Sequence, residues 1–377
     1  MRHEATVKDE RIVELDLLRA IAIIAIVVCH LRNVLPQYLT SSVIPLMEMM
    51  IGDAALGLFF FLSGYVLMLR RQSSEEGVTA YLWKRVMRIY PLYWFALVIT
   101  LIAQSALFSS HDSFIQVTIS NPSQLLICIT GFEALFKNVF VNENIGIFWF
   151  VGTIMLYYLL FPFILLLADR LGSSSTWSLF LSGIAFFIAL ATAAFGTKTF
   201  DPRILSFYWF FVAGIIVGKG ADILAFKSHR LAAIFLCSIV LMALVWYRLD
   251  ALFVVAGQTD AQLLGETRMF IATLSLGAAG ISLSMLLING LRKAGIGAPP
   301  MLLKLGRCSY PIYLFHLLVL ESVAIIALAI DARLVPLMVV VIGIPLALLL
   351  PPNIEGAMRY VIARARVEVR ALRPTTK

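Results

Sequence analysis

Residues 15–30 read LDLLRAIAIIAIVVCH, and this stretch decides what kind of molecule the chain forms. Ten apolar residues, Ala20 to Cys29, separate Arg19 from His30. A run of this kind predicts a membrane-crossing helix with polar groups fixed at chosen depths. Outward from it the pattern recurs: the sequence predicts about ten spans, near 15–35, 54–69, 89–108, 147–168, 177–195, 204–219, 230–247, 267–289, 309–330 and 334–351. The expected fold is therefore all-α, a polytopic transmembrane helix bundle, with residues 1–352 as the membrane domain and 353–377 as a basic cytoplasmic tail. Composition agrees. Hydrophobic residues make up 61% of the 377, charged residues 14%, and mean hydropathy is +0.93. Soluble domains carry about 25% charged residues.

The formal charge of +8 raises nucleic acid as a partner, and the placement of the charges removes it. With the N-terminus in the cytoplasm and span-end residues counted with the nearest connector, inside segments hold 22 Lys and Arg and outside segments seven; Arg19 lies within a span. That bias is the positive-inside signature and puts both termini in the cytoplasm. The expected location is the plasma membrane, as a multi-pass protein in contact with lipid. Arg359, Arg364, Arg366, Arg370, Arg373 and Lys377 form the tail, read either as a topology anchor or as a basic amphipathic helix on anionic lipid. Cys29, Cys128, Cys237 and Cys308 are scattered, so neither a disulfide framework nor a metal site is expected. The first span is read as retained, without a cleavable signal. The polar-leaning stretches 33–53, 70–88, 109–146 and 248–266 are too short for a catalytic domain. Segment 123–136 is apolar but short, which predicts a re-entrant or interfacial piece.

Chemistry must then sit in the bundle, where an ionisable side chain costs about 2.5–3.5 kcal/mol and needs a reason. Few are there: Asp16, Arg19, His30, His316 and Glu321. Arg19 and His30 are eleven residues apart, so a helix places them on one stripe, about 16 Å apart along the axis. Asp16, three residues before Arg19, can neutralise it. His316 is expected about 10 Å into the ninth span, at a depth where it meets His30 if those spans are neighbours, with Tyr313 on nearly the same face. Neutral imidazole suits deprotonation of a hydroxyl. Glu321 falls about 140° round from His316 and is the weaker candidate. Arg85 and Arg88 share a face at i, i+3, a spacing suited to phosphates; orientation alone also explains them. Packing or simple anchoring explains each of these groups singly.

Four segments together carry a resemblance. LDLLRAIAIIAIVVCH (15–30), with its Arg-x10-His, FFFLSGY (59–65), RVMRIYPLYW (85–94) and LGRCSYPIYLFHLLVL (305–320) resemble, in the right order, the acyltransferase-3 family of membrane O-acyltransferases. One segment departs from it. Where many members carry WSLSVEEQFYLLFP, this chain reads WFVGTIMLYYLLFP (149–162), with Ile154 and Met155 in place of the paired acids. The resemblance implies a ten-span bundle that takes acyl-CoA from the cytoplasm and acylates a hydroxyl of a cell-surface glycan or lipid-linked precursor. Acetyl-CoA is the expected donor, succinyl-CoA the second choice, with no permanently bound cofactor. The implied roles are His30 as general base or acyl relay, Arg19 ordering the donor or polarising its thioester, Arg85 and Arg88 on coenzyme A phosphates, and His316 completing the cavity. Asp16 sets the Arg19 rotamer, and Ser63 with Gly64 allows close helix packing. Any further extracytoplasmic step would need a separate partner. The competing class is a transporter or flippase, which also needs a polar stripe; no inverted repeat supports it. A membrane sensor would need a soluble signalling domain.

Overall fold

A computed structural model of the chain describes residues 2–35, 43–72, 77–107, 122–136, 147–171, 175–197, 201, 203–220, 226–255 and 261–371. Among the described residues all regular structure is helical. The helices are α1 (Arg2–Cys29), α2 (Leu31–Val34), α3 (Val43–Gln72), α4 (Val78–Leu107), α5 (Pro122–Thr130), α6 (Trp149–Arg170) and α7 (Thr176–Thr197). They continue as α8 (Arg203–Gly220), α9 (Ser228–Val255), α10 (Ala261–Lys293), α11 (Pro300–Arg307), α12 (Ser309–Ile330), α13 (Val335–Met338) and α14 (Ile344–Ala371). Among the described residues eight helices are long and apolar enough to cross a membrane. The helices α1 and α7 occupy the positions of the first and fifth expected spans, so the bundle matches about ten.

The boundaries differ from expectation in two places. Pro91 lies inside α4, which starts at Val78 and carries Arg85 and Arg88 on the same continuous helix. The last expected span passes through a π-helical turn, Val339–Gly343, into a helix that contains Pro351 and Pro352 and runs into the tail region. Arg373 and Lys377 lie outside the described residues.

The first helix is the centre of the bundle. Leu18, Ala20, Ala22, Ile23, Ile26 and Val27 are all buried, because α3, α11 and α12 pack along α1, while Val28 on its remaining face is exposed. Close crossings depend on glycine. A Cβ on Gly64 of α3 would lie 2.1 Å from the Phe211 carbonyl oxygen of α8, and one on Gly214 of α8 would lie 2.0 Å from the Phe61 oxygen. Lipid gives helices little hydrophobic reason to associate, so close backbone contact carries much of the attraction. Gly64→Ala should therefore destabilise the bundle by about 1–3 kcal/mol, read as a lower thermal midpoint in detergent. Ser63 Oγ donates to the Phe59 carbonyl at 2.8 Å and stays within its own helix.

The short helix α5 would extend only about 13 Å, less than half a bilayer core. Its last carbonyls, which no helical N–H can reach, are satisfied by aromatic donors of α4. Tyr90 Oη donates to Thr130 at 2.8 Å, Trp94 Nε1 to Ile129 at 2.9 Å, and Tyr93 Oη to Cys128. The chain then turns at Gly131, φ +73°, where a side chain is disfavoured. A Cβ on Gly152 of α6 would sit 1.9 Å from the Gly131 oxygen, so the two glycines lock this turn against α6. Segment 122–136 is thus folded into the bundle without crossing it.

Candidate functional site

Basic side chains gather at one end of the bundle. Arg19 Nη1 donates to Asp16 Oδ1 at 3.1 Å. Arg307 Nε lies 3.7 Å from the other Asp16 oxygen, and Arg292 lies 3.9 Å from Glu14. The backbone of α11 rests on α1 here, since a Cβ on Gly306 would be 1.8 Å from the Asp16 carbonyl oxygen. Arg70, Arg85 and Arg88 are within electrostatic reach of one another, and Arg70 and Arg88 also reach Arg19. Crowded guanidinium groups repel unless an anion is held among them. Their environments differ despite the i, i+3 spacing. Arg85 is buried, its guanidinium 5.2 Å from the Tyr81 ring centre and 5.8 Å from that of Tyr158, and its Nε finds no acceptor. Arg88 is exposed.

Deeper in the bundle the two histidines meet. The rings of His30 and His316 are 4.9 Å apart, edge to face. His30 sits in the turn where α1 ends, and His316 lies in mid-α12, wholly buried. His30 Nδ1 is 2.8 Å from the Ile26 carbonyl oxygen, and His316 Nδ1 is 2.7 Å from that of Tyr313. A carbonyl oxygen can only accept, so in neutral rings each Nδ1 bears the proton and each Nε2 keeps its lone pair. Both imidazoles are set as bases at Nε2, and that atom of His316 is buried without a partner. Cys29 Sγ is 3.3 Å from His30 Nδ1 and itself donates to the Ile26 oxygen at 3.1 Å. The Tyr313 ring lies 5.9 Å from His316, and its hydroxyl donates to the Ile147 carbonyl. Glu321 is half-buried, one turn and a half further along α12.

Three polar features absent from the sequence reading lie towards the other end. Asp201 holds Arg203 by a two-pronged ion pair, Nε to Oδ1 at 3.0 Å and Nη2 to Oδ2 at 2.6 Å, with the guanidinium 4.4 Å from the Trp149 ring centre. Thr273 donates to the buried Asp53 at 2.7 Å. Glu133, in the 3₁₀ turn Glu133–Leu135, is buried with neither carboxylate oxygen bonded. Burial holds its carboxyl well above the usual range. The signal for it was present, an acid inside an apolar piece too short to cross, which a survey confined to span interiors passes over.

Two cavities open at the basic end, and neither is lined by His30 or His316. One of about 790 Å³ is lined by Phe226, Lys227, Ser228, His229, Asn289, Arg292 and Lys293. The other, of about 360 Å³, shares Arg292 and runs along Glu14 and Leu17 of α1.

A family model described as an acyltransferase domain matches residues 12–352. That range takes in every residue of the polar sites described above. No curated protein and no solved structure matches the chain.

Proposed function

The chain belongs to the acyltransferase-3 family, a membrane acyltransferase matched across nearly its whole length, and on that premise we propose that it moves an acetyl group from acetyl-CoA to a hydroxyl of a cell-surface glycan or lipid-linked precursor. The observation that carries this reading is the pair of imidazoles in contact at membrane depth, each with its Nε2 lone pair set by a backbone carbonyl.

The division of labour follows from separation and exposure. Arg19 is about 16 Å from His30 along α1, too far to touch a thioester held at the histidines. It therefore orders the donor at its phosphate end, and the extended pantetheine arm spans the gap. Exposed Arg88 contacts phosphate, buried Arg85 shapes the rim with Tyr81 and Tyr158, and Asp16 fixes the Arg19 side chain. His30, half-buried beside wholly buried His316, takes the hydroxyl proton at Nε2. The hydroxyl oxygen attacks the thioester carbonyl carbon, the C–S bond breaks, and the departing coenzyme A thiolate recovers the proton from the imidazolium. The positive-inside bias supports an arginine end in the cytoplasm, where acyl-CoA is found, and the plasma membrane is the location this reading takes. Succinyl-CoA fits the same steps. Surface glycans from cells with and without the protein, compared by mass, test the reading. We expect a shift of one acetyl unit; a succinyl shift would correct the donor, and unchanged glycans with altered export would favour a flippase.

A further inference from the structure

Glu133 is a buried carboxyl that the chemistry above does not use, and neither of its oxygens has a partner. An acid at membrane depth is costly on insertion scales, and a buried polar group left without a partner is costly too. Here both penalties fall on one residue, in a segment built to keep it in place. Three aromatic donors of α4 tie down α5, Gly131 and Gly152 lock the turn, and the Ala134 carbonyl accepts the Asp201 N–H at 2.7 Å. The carboxyl is within electrostatic reach of Tyr93, Cys128 and Tyr313. Tyr313 in turn adjoins His316, which adjoins His30. A packing role would be served better by Leu or Met, since an apolar side chain carries neither penalty.

A carboxyl with open hydrogen-bonding capacity, one shell away from a pair of bases, suits a polyhydroxylated ligand. Protonated, it offers one donor and further acceptor capacity, matching the vicinal hydroxyls of a sugar. We propose that Glu133 is an acceptor-binding residue, hydrogen-bonding a hydroxyl of the sugar that His30 deprotonates elsewhere. The inference rests on the acyltransferase reading and adds the residue that holds the sugar. Ile154 and Met155 lie near the start of α6, and the acid of this proposal comes from the re-entrant segment instead.

The test uses the purified full-length protein, acetyl-CoA as donor and a glycan extract of the expressing cells as acceptor. Loss of one hydrogen bond to the acceptor is worth about 1–3 kcal/mol, a rise of about 5–150-fold in acceptor KM. Glu133→Ala should show that rise with the acetyl-CoA KM unchanged, and Glu133→Gln, which can still donate and accept, should show less of it. His30→Ala, run alongside, should lose turnover at every concentration. An unchanged acceptor KM in Glu133→Ala overturns this inference and leaves the acyltransferase reading intact. Equal losses for donor and acceptor, with a lowered thermal midpoint, overturn it in favour of a structural role. Full turnover in His30→Ala defeats the underlying reading instead.

Discussion

Replacing His30 with alanine should lower acetyl transfer by about 10²–10⁴-fold, the usual contribution of a positioned general base. His316→Ala should cost a comparable factor, and the double variant should be hardly worse than either single one. Groups that act as a unit lose their function at the first substitution. Here the unit is physical: the rings touch, each Nδ1 is spent on a carbonyl, and the His316 Nε2 lone pair is buried without a partner. Removing His316 also opens a gap at the wall of His30, so the surviving base loses its orientation. His316→Asn separates these effects, because an amide can keep the contact with the Tyr313 carbonyl without offering a base. The readout is radiolabelled acetyl recovered on glycan per mole of protein, with acyl-CoA binding measured in parallel. Losses that multiplied in the double variant would mean that the histidines act in separate steps.

Arg88→Ala should raise the acetyl-CoA KM by about 10–150-fold, the equivalent of one charge-assisted contact worth about 1.5–3 kcal/mol. Turnover at saturating donor should change little, because a phosphate is bound equally before and during the reaction. Higher salt should mimic the variant, since an exposed guanidinium is screened. Arg85 behaves differently. It is stacked between Tyr81 and Tyr158, so Arg85→Lys should be nearly as harmful as Arg85→Ala: an ammonium lacks the planar face. Steady-state kinetics over a donor series at two salt concentrations checks both variants. A turnover loss without a KM change in Arg88→Ala would place that arginine at the reacting atoms.

Much of the fold was legible because membrane helices write themselves as long apolar runs with basic connectors on one side. The His30–His316 encounter was legible in depth alone. That α1 and α12 are neighbours is a tertiary fact, made possible by Gly306 against Asp16 and by the buried apolar face of α1. Periodicity described Arg85 and Arg88 as equivalent, whereas Tyr158, contributed by a distant helix, buries one and leaves the other exposed. Nothing in the sequence marked Asp201 and Arg203, two residues apart, because the Trp149 ring beneath the guanidinium comes from another helix. Glu133 escaped notice for a related reason. A re-entrant turn brings a side chain to membrane depth without the twenty-residue run that marks a span.

If imidazoles inside this bundle move an acyl group from a thioester to an oxygen, thiol release and ester formation must run in step. Free coenzyme A thiol released from acetyl-CoA by the purified protein with glycan present can be counted against acetyl esters formed on that glycan. One ester per thiol is expected for the native chain, and a loss of both products for His30→Ala. Ester formation that persisted undiminished in His30→Ala would rule out imidazole catalysis here.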